Sequence, residues 1–217
     1  MSRTFNSVRN IIWAVINKIF IIILPFIVRT VMIYKLGAEY TGLTSLFTSI
    51  LTMLSLAELG FSSAMVYCMY EPIHMNDQLL IGALLNFYRR IYTIIGSVIL
   101  ILGIMLIPFL DHLISGKIPR GINIYVLYLI YLLNTAVSYF LFAYKSSLLT
   151  AYQRNDLISK ISLVCHLCLY GLQIGVLLFT TNFYAYAILL PISTIVMNLC
   201  YEYFSKKYYP NIICKGQ

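Results

Sequence analysis

The chain has 217 residues, 61% of them hydrophobic and 10% charged, with a mean hydropathy of +0.87 and a formal net charge of +8. Soluble domains carry about 25% charged residues, so this composition excludes a water-soluble globule as the main architecture. The basic residues flank apolar runs instead of forming one cluster, which excludes a nucleic-acid surface as the reason for the charge.

In chain order, the first apolar stretch predicts a helix over 10–34. It is too long for a signal h-region, contains Lys18 and lacks an Ala-x-Ala exit, so it reads as a retained anchor. A turn around Gly37 leads to a second helix over 41–69. Glu71-Pro72 and the polar residues through Asp77 end it, since proline and short polar side chains stop helices. A third helix covers 78–110, with Arg89-Arg90 near its start able to snorkel towards headgroups. A loop over 111–121 precedes helices over 122–144, 157–179 and 184–204, the last two turning at Thr180-Thr181-Asn182. Residues 91–110 and 122–144 carry no formal charge over 20 and 23 residues, and 161–201 holds His166 alone. About 20 apolar residues at 1.5 Å each cross a hydrocarbon core of about 30 Å. The sequence therefore reads as an all-α integral membrane protein, one domain over 1–217 with six spans.

Eleven of the 15 basic residues fall on the side of the N-terminus in this topology, against four on the other side: Arg29, Lys35, Lys117 and Arg120. The positive-inside rule then places both termini in the cytoplasm. The five cysteines form no disulfide framework. Cys165-His166-Leu167-Cys168 lies inside an apolar helix and reads as packing, so no metal and no cofactor is expected.

Polar residues recur at helical spacing within the apolar background. Thr41, Ser45, Thr48, Thr52, Ser55, Glu58 and Ser62 make one stripe on the second helix. Tyr128, Tyr131, Thr135, Ser138 and Lys145, with Asn134 beside them, follow on the fourth; Ser159, Ser162, His166, Tyr170 and Gln173 follow on the fifth. Lipid cannot hydrogen-bond these groups, so the stripes face other helices or a wet cavity. The candidate cavity-lining residues are Thr48, Thr52, Ser55, Asn134, Ser138, His166 and Gln173.

Lys18 and Arg29 are eleven residues apart, which puts them on one helix face about 16 Å apart. Pro25 between them is a candidate kink or break. Each cation reads either as a cavity wall that receives a phosphate or as a snorkelling anchor. Glu58 lies at a depth matching Lys18, which suggests an ion pair. No phosphate loop, nucleophile elbow or metal-ligand helix is present, so no enzymatic activity is expected.

Leu36-Gly37 with Tyr40-Thr41-Gly42, Ser45 to Ile50, Ala57-Glu58-Leu59-Gly60, Met69-Tyr70-Glu71-Pro72 and Ala151-Tyr152-Gln153-Arg154-Asn155 together resemble the N-terminal half of a Wzx-type polysaccharide flippase. These flippases belong to the multidrug/oligosaccharidyl-lipid/polysaccharide (MOP) exporter superfamily, and the resemblance spans roughly 5–210. It implies a six-helix lobe like one half of a MOP/MATE-like transporter. The implied activity moves an undecaprenyl-diphosphate-linked oligosaccharide across the bacterial cytoplasmic membrane, for O-antigen or capsule. By the same resemblance Arg29, Lys18 and Lys145 would receive the diphosphate. One lobe alone implies a fragment or truncated product that needs a second lobe or a homodimer partner. Two other expectations stand beside this one: a cation-coupled drug exporter of the same superfamily, with Glu58 as coupling carboxylate, and a non-transporting membrane component.

Overall fold

The computed structural model describes residues 3–58, 60–114, 119 and 121–212. Among them the chain forms nine α-helices and no strand: α1 Arg3–Lys35, α2 Ala38–Ser55, α3 Phe61–His74, α4 Gln78–Met105, α5 Leu110–Leu113, α6 Ile124–Phe140, α7 Tyr144–Ala151, α8 Asn155–Phe179 and α9 Phe183–Tyr208. Four apolar helical stretches are long enough to cross a bilayer, and the α6–α7 pair makes a fifth if it is one span bent by 47°. The protein is thus an all-helical membrane protein. Apolar side chains such as Ile22, Phe26, Ile94 and Ile101 stand exposed along α1 and α4. Water would make such faces aggregate, whereas hydrocarbon solvates them.

Side-chain caps start three of the helices. Asp77 accepts from the Leu80 amide at 3.0 Å, Asn123 from those of Tyr125 and Val126, and Asn182 from those of Tyr184 and Ala185. Each carboxylate or amide oxygen thereby satisfies helix N–H groups that have no partner within their own helix.

Three expectations about continuity are corrected. The helix expected over 41–69 breaks: α2 ends at Ser55, a 3₁₀ turn covers Leu56–Glu58, and α3 restarts after Gly60. Gly60 has φ +86°, a left-handed conformation that costs glycine little. The helix expected over 122–144 also breaks, between α6 and α7, where Phe142 takes φ +47°. Pro25, by contrast, breaks nothing, since α1 runs through it for 33 residues. Apolar membrane helices tolerate the one hydrogen bond a proline removes. Of the expected 111–121 loop, residues 115–118 and 120 lie outside the described residues, as do Leu59, Cys214 and Lys215; Lys117 and Arg120 are therefore not placed.

Packing joins α1 to α8, α8 to α9, α9 to α6 and α6 to α4, while α2 bridges α1, α4 and α6. One apolar cluster gathers Val28, Met32, Phe47, Tyr128, Leu177 and Phe183 from α1, α2, α6, α8 and α9. A second joins α3, α4, α6 and α7 around Met69, Leu85, Tyr88 and Leu148. The approach of α4 to α6 needs small residues, because a Cβ on Gly96 would meet the Tyr139 Cβ at 2.8 Å. At the end of the bundle that holds the start of α1 and the end of α9, Asp156 binds three segments together. Its side chain is 3% exposed and lies 3.2 Å from Arg9, 3.1 Å from Arg154 and 4.0 Å from Lys160. Asn10 adds two bonds, accepting from the Asp156 amide and donating to the Gln153 carbonyl.

Candidate functional site

The α2 hydroxyls form a ladder along one face. Thr44 donates to the Tyr40 carbonyl at 3.0 Å, Thr48 to Thr44 at 2.7 Å, Thr52 to Thr48 at 2.7 Å and Ser55 to Leu51 at 2.9 Å. This back-bonding to the carbonyl four residues earlier uses each hydroxyl's donor inside its own helix and leaves its oxygen as an acceptor. The face carrying Thr48, Thr52 and Ser55 lines an open cleft of about 270 Å³, closed on the other side by Tyr131, Asn134 and Thr135 of α6 and by Leu190 of α9. Tyr131 donates to the Thr44 hydroxyl at 3.2 Å, and Thr194 of α9 donates to Asn134 Oδ1 at 2.7 Å. That bond fixes the Asn134 amide plane at the wall. The site is neutral: hydroxyl oxygens, one amide, a tyrosine ring and the aliphatic side chains of Leu51 and Leu190 surround a space larger than several waters.

Four of the seven candidate cavity residues therefore meet in one place: Thr48, Thr52, Ser55 and Asn134. Ser138, one turn further along α6, donates to the Thr135 carbonyl at 2.6 Å and is not among the lining residues. His166 and Gln173 lie elsewhere, on α8. His166 shares a 3.1 Å hydrogen bond with Ser162 on its own helix and stacks on Tyr170. Gln173 is fully buried and donates to the Tyr186 carbonyl of α9 at 3.4 Å. The fifth-helix stripe thus serves helix contacts, because α8 is packed by α1 on one side and α9 on the other.

None of the charged candidates is among the residues lining the cleft. Lys18 and Arg29 are both exposed on α1. Glu58, half-buried at the end of the 3₁₀ turn, accepts a hydrogen bond from Tyr92 of α4, whose hydroxyl accepts from Tyr88 at 3.0 Å. No ion pair within 4.0 Å joins Glu58 to Lys18. The carboxylate after the break faces α4, where Tyr92, itself hydrogen-bonded by Tyr88, supplies the donor. Lys145 is 5% exposed just past the α6–α7 bend, its ammonium 5.7 Å from the Tyr144 ring and within 4.0 Å of no described carboxylate.

Sequence reasoning passed over three participants. Leu190 lines the cleft from α9 and Thr194 of the same helix holds Asn134, and the spacing of Thr194, Asn198, Glu202 and Ser205 at 4, 4 and 3 is the signal on that helix. Asp156 was the third, although it is the only acidic residue between Asp111 and Glu202 and has Lys160 one turn later. An acid that isolated, flanked by bases, is the signal that identifies it. Comparison with protein-family models, with curated proteins and with solved structures returns no match.

Proposed function

We propose that this chain is the N-terminal lobe of a flippase for a polyprenyl-diphosphate-linked oligosaccharide. The observation that carries the reading is the neutral cleft between α2 and α6. A sugar presents many hydroxyls and no charge, and it is matched by hydroxyl oxygens, an amide and an aromatic ring such as Thr48, Thr52, Ser55, Asn134 and Tyr131. In this reading α2 and α3 together make a sixth span, broken at Gly60, and the lobe works with a second lobe or a second copy. The basic end of the bundle, with Arg9, Arg154, Lys160, Lys206 and Lys207, faces the cytoplasm of a bacterial cell. Lys18 and Arg29, exposed on one face of α1, are the cations available to a diphosphate approaching from the bilayer. Lys145 serves instead at the α6–α7 bend.

A second reading, a cation-coupled exporter, is favoured by one feature: the half-buried Glu58 carboxylate held by Tyr92. Ligand binding to the purified chain separates the two. A polyprenyl diphosphate carrying its oligosaccharide should bind more tightly than the same lipid without sugar. Asn134→Leu should weaken only the former, by about tenfold for one lost hydrogen bond with its orphaned partner. Equal affinity for both lipids would refute the sugar assignment. Saturable binding of a lipophilic cation that is lost in Glu58→Gln would favour the exporter.

A further inference from the structure

The end of the bundle near the termini carries more positive charge than its carboxylate neutralises. Arg9, Arg154 and Lys160 face the single Asp156, so three positive charges against one negative leave +2. The carboxylate is sealed in, but the three cationic side chains keep 24%, 26% and 40% of their exposure. Burial works to lower the Arg154 pKa and Asp156 outweighs it, so the guanidinium lies above its usual value and stays charged. Lys160, at 4.0 Å, stands beyond hydrogen-bonding distance of Asp156 and keeps its N–H donors for another acceptor. Its ammonium sits 4.7 Å from the Trp13 ring, and Arg154 lies 4.6 Å from that of Tyr208. Tryptophan and tyrosine at one level with lysine and arginine mark a membrane–water interface.

An apolar groove of about 210 Å³ continues from this level between α8 and α9, lined by Val164, Cys168 and Leu172 on one side and Ile192, Val196 and Cys200 on the other. Positions 164, 168 and 172 follow Lys160 at intervals of four residues, on a ridge of α8 that winds about 40° per step, and lie about 6, 12 and 18 Å deeper. The hydrocarbon of one leaflet is about 15 Å thick, half of a core of about 30 Å. A cationic cluster at headgroup level above an apolar groove one leaflet deep has the dimensions of a single lipid.

We infer that the α8–α9 seam binds an anionic phospholipid of the bilayer, with its phosphate on Lys160 and Arg154 and one acyl chain in the groove. Charge complementarity selects the anionic class, since a zwitterionic choline headgroup would set a further cation against a cluster that is already +2. The inference goes beyond the transport reading: the groove shares no lining residue with the α2–α6 cleft, and its occupant is a bilayer lipid rather than cargo.

The test uses the full chain in detergent and follows lipid retention by native mass spectrometry, with thermal unfolding beside it. Phosphatidylglycerol should be retained at least about fivefold over phosphatidylcholine, the effect of roughly one basic residue at a charged surface. Lys160→Gln removes the weakest contact to Asp156 and should lower that retention about fivefold while the fold persists. Cys168→Trp fills the groove and should displace the lipid with the cluster intact. Lys207→Gln, on the exposed end of α9, should change nothing. Equal retention of the two lipids, or retention unaffected by both Lys160→Gln and Cys168→Trp, would overturn the site. Stabilisation by inorganic phosphate equal to that by phosphatidylglycerol would also overturn it, by removing the need for a tail.

Discussion

Around the α2–α6 cleft the threonines of α2 and α6 donate within their own helices, whereas Asp156 at the start of α8 also draws on side chains of α1. Thr48 and Thr52 bond to carbonyls of α2 whether or not α6 is present. Arg154 reaches Asp156 locally, but the second guanidinium, from Arg9, and the Asn10 bond to the Asp156 amide form only when the start of α1 docks on the start of α8. Polar atoms with partners in their own helix add little to assembly and remain available to a ligand. Polar atoms with partners on other segments hold the assembly together and are occupied. The first arrangement suits a site, the second a clamp.

The clamp half of this contrast predicts the largest effect. Asp156→Asn leaves Arg9, Arg154 and Lys160 facing one another without their carboxylate, and should destabilise the chain by about 2–3 kcal/mol. That lies below the usual cost of breaking a buried pair because the cations are partly exposed. Unfolding by a denaturing detergent measures it, and a loss under about 0.5 kcal/mol would mean that the clamp does not hold α1 to α8.

An intermediate effect is expected where α6, the far wall of the cleft, is positioned against α4. Gly96→Ala sets a Cβ 2.8 Å from the Tyr139 Cβ, an atom fixed to the α6 backbone that cannot swing away. Overpacking of this kind costs about 1–3 kcal/mol. If Gly96→Ala unfolds at the wild-type detergent concentration, the close α4–α6 approach is wrong.

The smallest effect belongs to the cleft. Thr48→Val and Thr52→Val each remove a bond confined to α2, so stability should shift by less than about 0.5 kcal/mol. Binding of the sugar-bearing lipid should weaken nonetheless, because the lost oxygens line the cleft. A stability loss as large as that of Asp156→Asn would erase the distinction between site and clamp.

The apolar segments were legible because hydrocarbon imposes a minimum length, and α8, expected over 157–179, spans Asn155–Phe179. The breaks were not legible in the same way. Gly60 marks one of them after the fact, but 141–143 contains neither glycine nor proline to announce the left-handed Phe142. Helical spacing identified the α2 stripe and the matching α6 residues, since period 3.6 fixes a face. It could not name the partner of that face. The α8 stripe had the same spacing yet contacts α1 and α9, and Glu58 met Tyr92 rather than Lys18. Depth along a helix is readable from residue count; azimuth between helices is set by packing.

The self-satisfied threonine ladder also bears on how the protein is made. Helices enter a membrane in the order of synthesis, so α2 meets lipid before Asn134, Thr135 and Leu190 exist to cover it. A helix whose hydroxyls needed donors or acceptors on α6 would carry unmet hydrogen bonds during that interval and resist insertion. Thr44, Thr48, Thr52 and Ser55 have already placed their protons on their own backbone. The newborn helix can therefore rest in hydrocarbon and later present the same face, unchanged, to a polar guest.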